Sequence, residues 1–207
     1  MLFLFLLITS IYFVYIAKLR GGYVKNLTEK KRKCSNYSDK KIIYTASFSN
    51  KPTNLFNSIF FLSMILMVVL FIYNLAGRET VAELLDVEEN LCSLIAGVLW
   101  FSYLYICAMT LFYGWVESIA TNQFLLITDE NIVGTSCKIT GLKTEYTNFE
   151  INISQITDTI TQKQEKFAGI DLSTFYILTE TNRYEFVLLI DESEIKNIIS
   201  KKLQKSI

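Results

Sequence analysis

Three long runs without Asp, Glu, Lys or Arg constrain this chain more than any other feature. They are Met1–Ala17 (MLFLFLLITSIYFVYIA), Leu55–Ala76 (LFNSIFFLSMILMVVLFIYNLA) and Leu91–Val116 (LCSLIAGVLWFSYLYICAMTLFYGWV). At a rise of 1.5 Å per residue the shortest covers about 25 Å, close to the ~30 Å hydrocarbon core of a bilayer once flanking residues contribute. Each reads as a transmembrane helix. For the first run a cleaved signal peptide is the competing reading, but that needs basic residues before the apolar core and a small-x-small site after it. Here no Lys or Arg precedes the run and a strongly basic segment follows it, so a retained helix is expected. Pro52 before the second run and Gly77 after it suit a helix start and stop. In the third, Phe112, Tyr113 and Trp115 gather where an interfacial aromatic belt is expected. Ser93 and Gly97 form a small-xxx-small pair, expected to pack within the helical hairpin. With no ionisable acid or base at depth, the runs argue against a pump or a coupled transporter.

The net charge of zero hides an asymmetry that orients these spans. Within a loop taken as residues 18–54, Lys18–Lys51 holds ten basic residues against Glu29 and Asp39, a net +8. Residues 77–90 carry five acids against Arg78, a net −4. Basic short loops stay on the cytoplasmic side. The expected protein is therefore multi-pass in the plasma membrane, with its N-terminus outside, loop 77–90 outside and everything after Glu117 in the cytoplasm. Lys30, Lys31, Arg32, Lys33, Lys40 and Lys41 are candidate contacts for anionic lipid, each basic residue near such a surface contributing about 1 kcal/mol. Gly21-Gly22 argues against one helix running on out of the membrane. Ile42–Phe48 (IIYTASF) is rich in β-formers, so this loop can supply a strand or lie at the interface.

From about residue 121 the texture changes to short β-like runs separated by turn residues. Phe124–Thr128 and Ile132–Thr135 read as a hairpin around Asp129-Glu130-Asn131. Thr140-Gly141 marks a break before Thr144–Ile153, in which Tyr146, Phe149, Ile151 and Ile153 are expected to point inward. Ile156–Thr161, Ile170–Thr179 and Tyr184–Ile190 complete the strands, the last two joined by a turn at Glu180–Arg183. Asp191 is placed to cap a final helix with Glu194 as its capping-box partner. Ile195, Ile198, Ile199 and Leu203 form that helix's apolar stripe.

About seven short strands closed by one amphipathic helix is the pattern of a pleckstrin-homology-like barrel, and three stretches carry a closer likeness. FLLITDENIVG resembles the aromatic, apolar, Leu-Thr-Asp, Ile opening of bacterial domains of this kind. INISQITDTI resembles their later Ile-Ser-x-Ile-x-Asp-x-Ile strand, and YEFVLLIDESEIKNII their last strand running into the helix. The likeness covers residues 121–205. With the three transmembrane helices read from the apolar runs, the expected fold is three such helices followed by a β-barrel or sandwich with a C-terminal helix over 121–207; small membrane hairpins commonly precede such domains, which fits this order. The likeness implies a non-enzymatic interaction or membrane-surface module. The lipid-headgroup site of eukaryotic relatives needs several basic residues between the first strands. Here Lys138 and Lys143 are offset by Glu145, and from Glu117 onward nine basic residues face thirteen acidic ones. A phosphoinositide pocket is therefore not expected, and Lys138, Lys143, Lys163 and Lys166 read as solvated turn residues.

No histidine occurs in the chain, which removes Ser-His and Cys-His catalysis and the HExxH zinc motif. Cys34, Cys92, Cys107 and Cys137 are scattered, without the clustering of a zinc site or disulfide framework. No phosphate loop, dinucleotide fingerprint or GxSxG elbow is present. The expectation is a non-enzyme without a cofactor or metal, embedded in the bilayer and bound to a protein partner or to its own kind, with no nucleic acid. The alternatives are an immunity or envelope-stress protein acting against membrane-active peptides, by analogy alone, and an accessory subunit of a transporter.

Overall fold

The computed structural model describes residues 2–36, 42–141, 143–164 and 168–205. The chain divides into two units, one of residues 1–21 and 52–116, the other of residues 22–51 and 117–207. Helix α1 spans Leu2–Asn36, α2 Lys51–Ala76, α3 Arg78–Leu85 and α4 Glu89–Asn122. Strand β1 is Ile42–Thr45. Then come β2 (Phe124–Thr128), β3 (Asn131–Thr140), β4 (Lys143–Asn152), β5 (Ile156–Gln162), β6 (Thr174–Thr179), β7 (Arg183–Val187) and α5 (Glu192–Lys205).

The first unit is built from α1, α2, α3 and α4, of which Leu2–Lys25, Lys51–Ala76 and Glu89–Asn122, each reaching beyond the unit's bounds at one end, are long and apolar enough to cross a membrane. Their outward faces are apolar, with Phe3 81% and Phe101 77% exposed, a surface that water would not tolerate over such an area. Inside, aromatic packing is joined by hydroxyl pairs. Phe5 is buried against Phe71, Trp100 and Tyr103, the Thr9 and Tyr103 hydroxyls lie 3.1 Å apart, and those of Tyr12 and Ser63 2.9 Å apart. Such interhelical hydrogen bonds contribute roughly 0.6–2 kcal/mol each in lipid. Ser93 is exposed, donates to Glu89 O on its own helix, and Gly97 has nothing within 4 Å of an added Cβ. The close approach belongs instead to Gly114, where a Cβ would meet Leu19 at 2.9 Å and Phe56 at 3.1 Å.

Two local expectations change. Gly21-Gly22 does not end α1: two glycines cost a helix about 1 kcal/mol each relative to alanine, which the neighbouring helix formers outweigh. The acidic loop is also partly helical. Gly77 at φ +82° turns the chain into α3, and left-handed Asp86 closes it with N–H bonds from Asp86 to Glu83 O and from Val87 to Ala82 O. Arg78 and Glu89, 2.7 Å apart, tie the two ends of the loop.

The second unit is two antiparallel sheets, β1-β2-β3-β4 and β5-β6-β7, with α5 against their core. Strand β1 comes from the loop between the first two spans and pairs with β2 in the register Thr45↔Leu126. Leu125, Ile127, Ile132, Phe149, Phe175, Ile177 and Phe186 make the core, with Ala46 and Phe48 from the same interspan segment among them. Fully burying a side chain of this size contributes about 1.5–3 kcal/mol. The helix stripe is as expected: Ile195 and Ile199 are buried, while Ile198 and Leu203 pack on the core from its margin. Lys202 fixes the far end of α5 by donating to Asp129 O at 2.6 Å. On β4, Phe149 and Ile151 point inward, as does Ile153 in the short 3-10 turn after it. Tyr146 does not, being 38% exposed, because a period of two puts it on the opposite face from Phe149. Tyr184–Ile190 is not one continuous strand either: β7 stops at Val187, and Leu188 takes φ +64°.

Candidate functional site

The segment Tyr44–Lys51 is where the sheet domain gathers its polar chemistry. Period-two alternation sends Ala46 and Phe48 into the core with Tyr44 packed at its margin on the same face, and turns Ser47 and Ser49 to the other. The Tyr44 hydroxyl donates to both Asp191 and Glu194, the latter at 3.1 Å. Asp191 also accepts the Ser47 N–H at 3.0 Å. The expected capping box is thereby redirected. Asp191 begins α5 through its backbone carbonyl, which accepts from the Glu194 and Ile195 N–H groups, while its carboxylate faces the interspan strand.

Beside this latch lies a cavity of about 230 Å³ lined by Ser49, Lys51, Asp171, Ser173 and Glu192 among others. Lys51 donates to Gly169 O at 2.5 Å, Thr161 to Glu192 at 2.7 Å, and the Ser173 N–H and hydroxyl to Asp171 at 2.9 and 2.6 Å. These groups satisfy one another, an arrangement suited to holding segments together or accepting a small polar group.

The electrostatics of the latch are testable. Burial, and then the two carboxylates, push the Tyr44 phenol above its ordinary pKa. The unfolded chain releases this proton at about pH 10 while the fold retains it. Above that pH the unfolded state binds fewer protons, so the contribution is complete below pH ~10 and falls as pH rises toward the folded value. Cys137, fully buried in β3, acts in the same sense, burial pushing its thiol up from 9.0 to about 12. Thermal unfolding of the full chain in detergent should therefore show Tm falling between pH 9 and 11, with a shallower fall in Tyr44→Phe. Equal slopes would remove Tyr44 from this role.

The basic residues singled out from the sequence divide. Lys30, Lys31, Arg32 and Lys33 lie on the last turns of α1, and the Lys30 ammonium sits 5.1 Å from the centre of the Phe48 ring. Lys40 and Lys41 fall outside the described residues. Lys138, opposite Glu145, and Lys143, opposite Thr140, both lie near the turn end of the β3–β4 hairpin.

Comparison of the chain with protein-family models, curated proteins and solved structures finds no match. The site therefore rests on its own geometry. Sequence reasoning missed Tyr44, Ser47 and Gln123. The β-rich IIYTASF run was the one signal for the first two, and a glutamine after a long apolar helix gave no signal for the third.

Proposed function

We propose that this chain is a membrane-anchored, non-enzymatic scaffold that presents a pleckstrin-homology-like domain at the inner face of a bacterial membrane, where it binds a protein partner or a second copy of itself. The observation that carries the reading is the pairing of β1 with β2. Six strands and one helix of the domain lie within residues 121–207, and β1 from the interspan segment brings the described strands to seven, in sheets of four and three, which supports the reading of about seven short strands closed by a helix. The same pairing supports a topology in which the basic interspan segment and the C-terminal domain share one side of the bilayer, and basic loops favour the cytoplasmic side. The basic segment adds attraction to anionic headgroups. That attraction is strongest nearest the span, because a helix climbs about 18 Å from Lys18 to Lys30, about two Debye lengths at physiological salt.

Sheet edges support a protein-binding role, since an exposed edge can accept a strand from another chain. Strand β1 is four residues long and bulged, and β5 is blunted by a bulge and by Asp158, whose carboxylate takes the Thr159 N–H at 2.7 Å. Strand β4 has ten unbroken pairs with β3 and no second strand partner among the described residues. Purification of the full chain in mild detergent, followed by mass spectrometry and mass measurement of the complex, tests this. A stoichiometric protein partner or a dimer is expected, lost on Glu145→Lys with Glu150→Lys. A lone monomer, or a complex indifferent to β4, would overturn it.

A further inference from the structure

Both roots of the membrane hairpin enter the sheet domain through one-residue joints, and both grip the same short stretch of backbone. On the α2 side only Asn50 separates Ser49 from Lys51, the first residue of the helix. There Ser49 N–H donates to Leu188 O at 2.9 Å, Ile190 N–H donates to Ser47 O at 3.1 Å, and Phe48 bridges Leu189. On the α4 side only Gln123 separates Asn122 from β2. Its side chain is fully buried and acts as a strand: Oε1 accepts the Val187 N–H at 2.8 Å, and Nε2 donates to Val187 O at 3.2 Å and to Ile119 O at 3.0 Å. Consecutive residues are thus held from opposite roots, Val187 by the end of α4 and Leu188 by the start of α2.

Between those two grips sits the strained point of the stretch. Leu188 is buried and left-handed at φ +64°, a conformation that an L side chain resists and that persists only where its surroundings impose it. Three residues further on, Asp191 begins α5 and holds Tyr44 and Ser47. One extended residue reaches only about 3.5 Å. A change of that size in the spacing between the α2 start and the α4 end must break one grip.

We propose that Val187–Ile190 is a clamp that converts a change in the spacing or tilt of α2 and α4 into release or tightening of the α5 N-terminus. Bilayer thickness is an input, since mismatch between a span and the hydrocarbon core is relieved by tilt. This holds whatever the domain binds. The full chain is reconstituted into nanodiscs of short-chain or long-chain phosphatidylcholine, and hydrogen exchange is followed over residues 183–199, with β3–β4 as the folded reference. Protection over 187–195 is expected to differ at least tenfold between the two bilayers while β3–β4 stays constant. Gln123→Ala and, separately, a Gly-Gly insertion after Asn50 should each abolish that difference. Should Gln123→Ala lose β3–β4 protection as well, the insertion variant decides by the same criterion. Equal protection in the two bilayers for the native chain, or an undiminished difference in the deciding variant, overturns the proposal.

Discussion

A fragment of residues 117–207, produced without the interspan segment, should not fold as a stable domain. It lacks β1, leaving the outer edge of β2 unpaired although every residue of β2 is buried in the complete unit. It also lacks Ala46 and Phe48 from the core and the partner of Leu188–Ile190. Removal of a buried phenylalanine side chain alone costs about 3–5 kcal/mol, against a total of about 5–15 kcal/mol for a typical domain. The expected result is aggregation or a non-cooperative melt by circular dichroism. Linking residues 42–51 to the fragment's N-terminus should restore a cooperative transition, and Phe48→Ala in that linked form should lose most of it. A cooperative melt of the unlinked fragment would show that β1 is an accessory.

Gly134→Val should be the most damaging single change within the sheets. Gly134 stands opposite Phe149 on β4, and a Cβ there would lie 2.7 Å from the Phe124 carbonyl oxygen and 2.9 Å from the Phe149 ring. The ring has little room to retreat: it stacks on Tyr184 at 4.0 Å and meets Phe186 at 5.9 Å. Overpacking of this kind costs about 1–3 kcal/mol, and more where the obstacle is backbone. Denaturant unfolding of the full chain should show a loss of at least about 3 kcal/mol for Gly134→Val. Gly134→Ala with Phe149→Leu should lose less than Gly134→Ala alone, because the smaller side chain removes the ring contact but not the carbonyl. No loss in Gly134→Val would mean that β2 and β3 can separate locally without consequence.

How much of this could be read beforehand depends on the range of the determinant. The three apolar runs are local in composition, and each corresponds to a helix long and apolar enough to span. Their ends lay beyond reach because helices continue past the apolar core: α1 to Asn36, and α4 to Asn122. The β2–β3 and β6–β7 hairpins announced themselves through nearby turn residues and alternation. Strand β1 showed its β-forming residues but not its partner, since no local rule joins Thr45 to Leu126. Leu188 could not be found at all from propensity, because leucine signals nothing about a positive φ that tertiary contacts impose. Asp191 looked like a helix cap, and only the arrival of Tyr44 and Ser47 redirects its carboxylate.

The split origin of the first sheet sets a timetable for synthesis. Strand β1 leaves the ribosome about 80 residues before its partner β2, and at 5–20 residues per second that interval lasts roughly 4–16 s. For that time Phe48 and an edge rich in β-branched residues have nothing to cover them. The wait ends only after α2 and α4 have been made. If only one of α2 and α4 crossed a bilayer, β1 and β2 would be left on opposite sides, and the sheet could never close. Completion of the sheet thus depends on both or neither of the two helices between β1 and β2 crossing a bilayer.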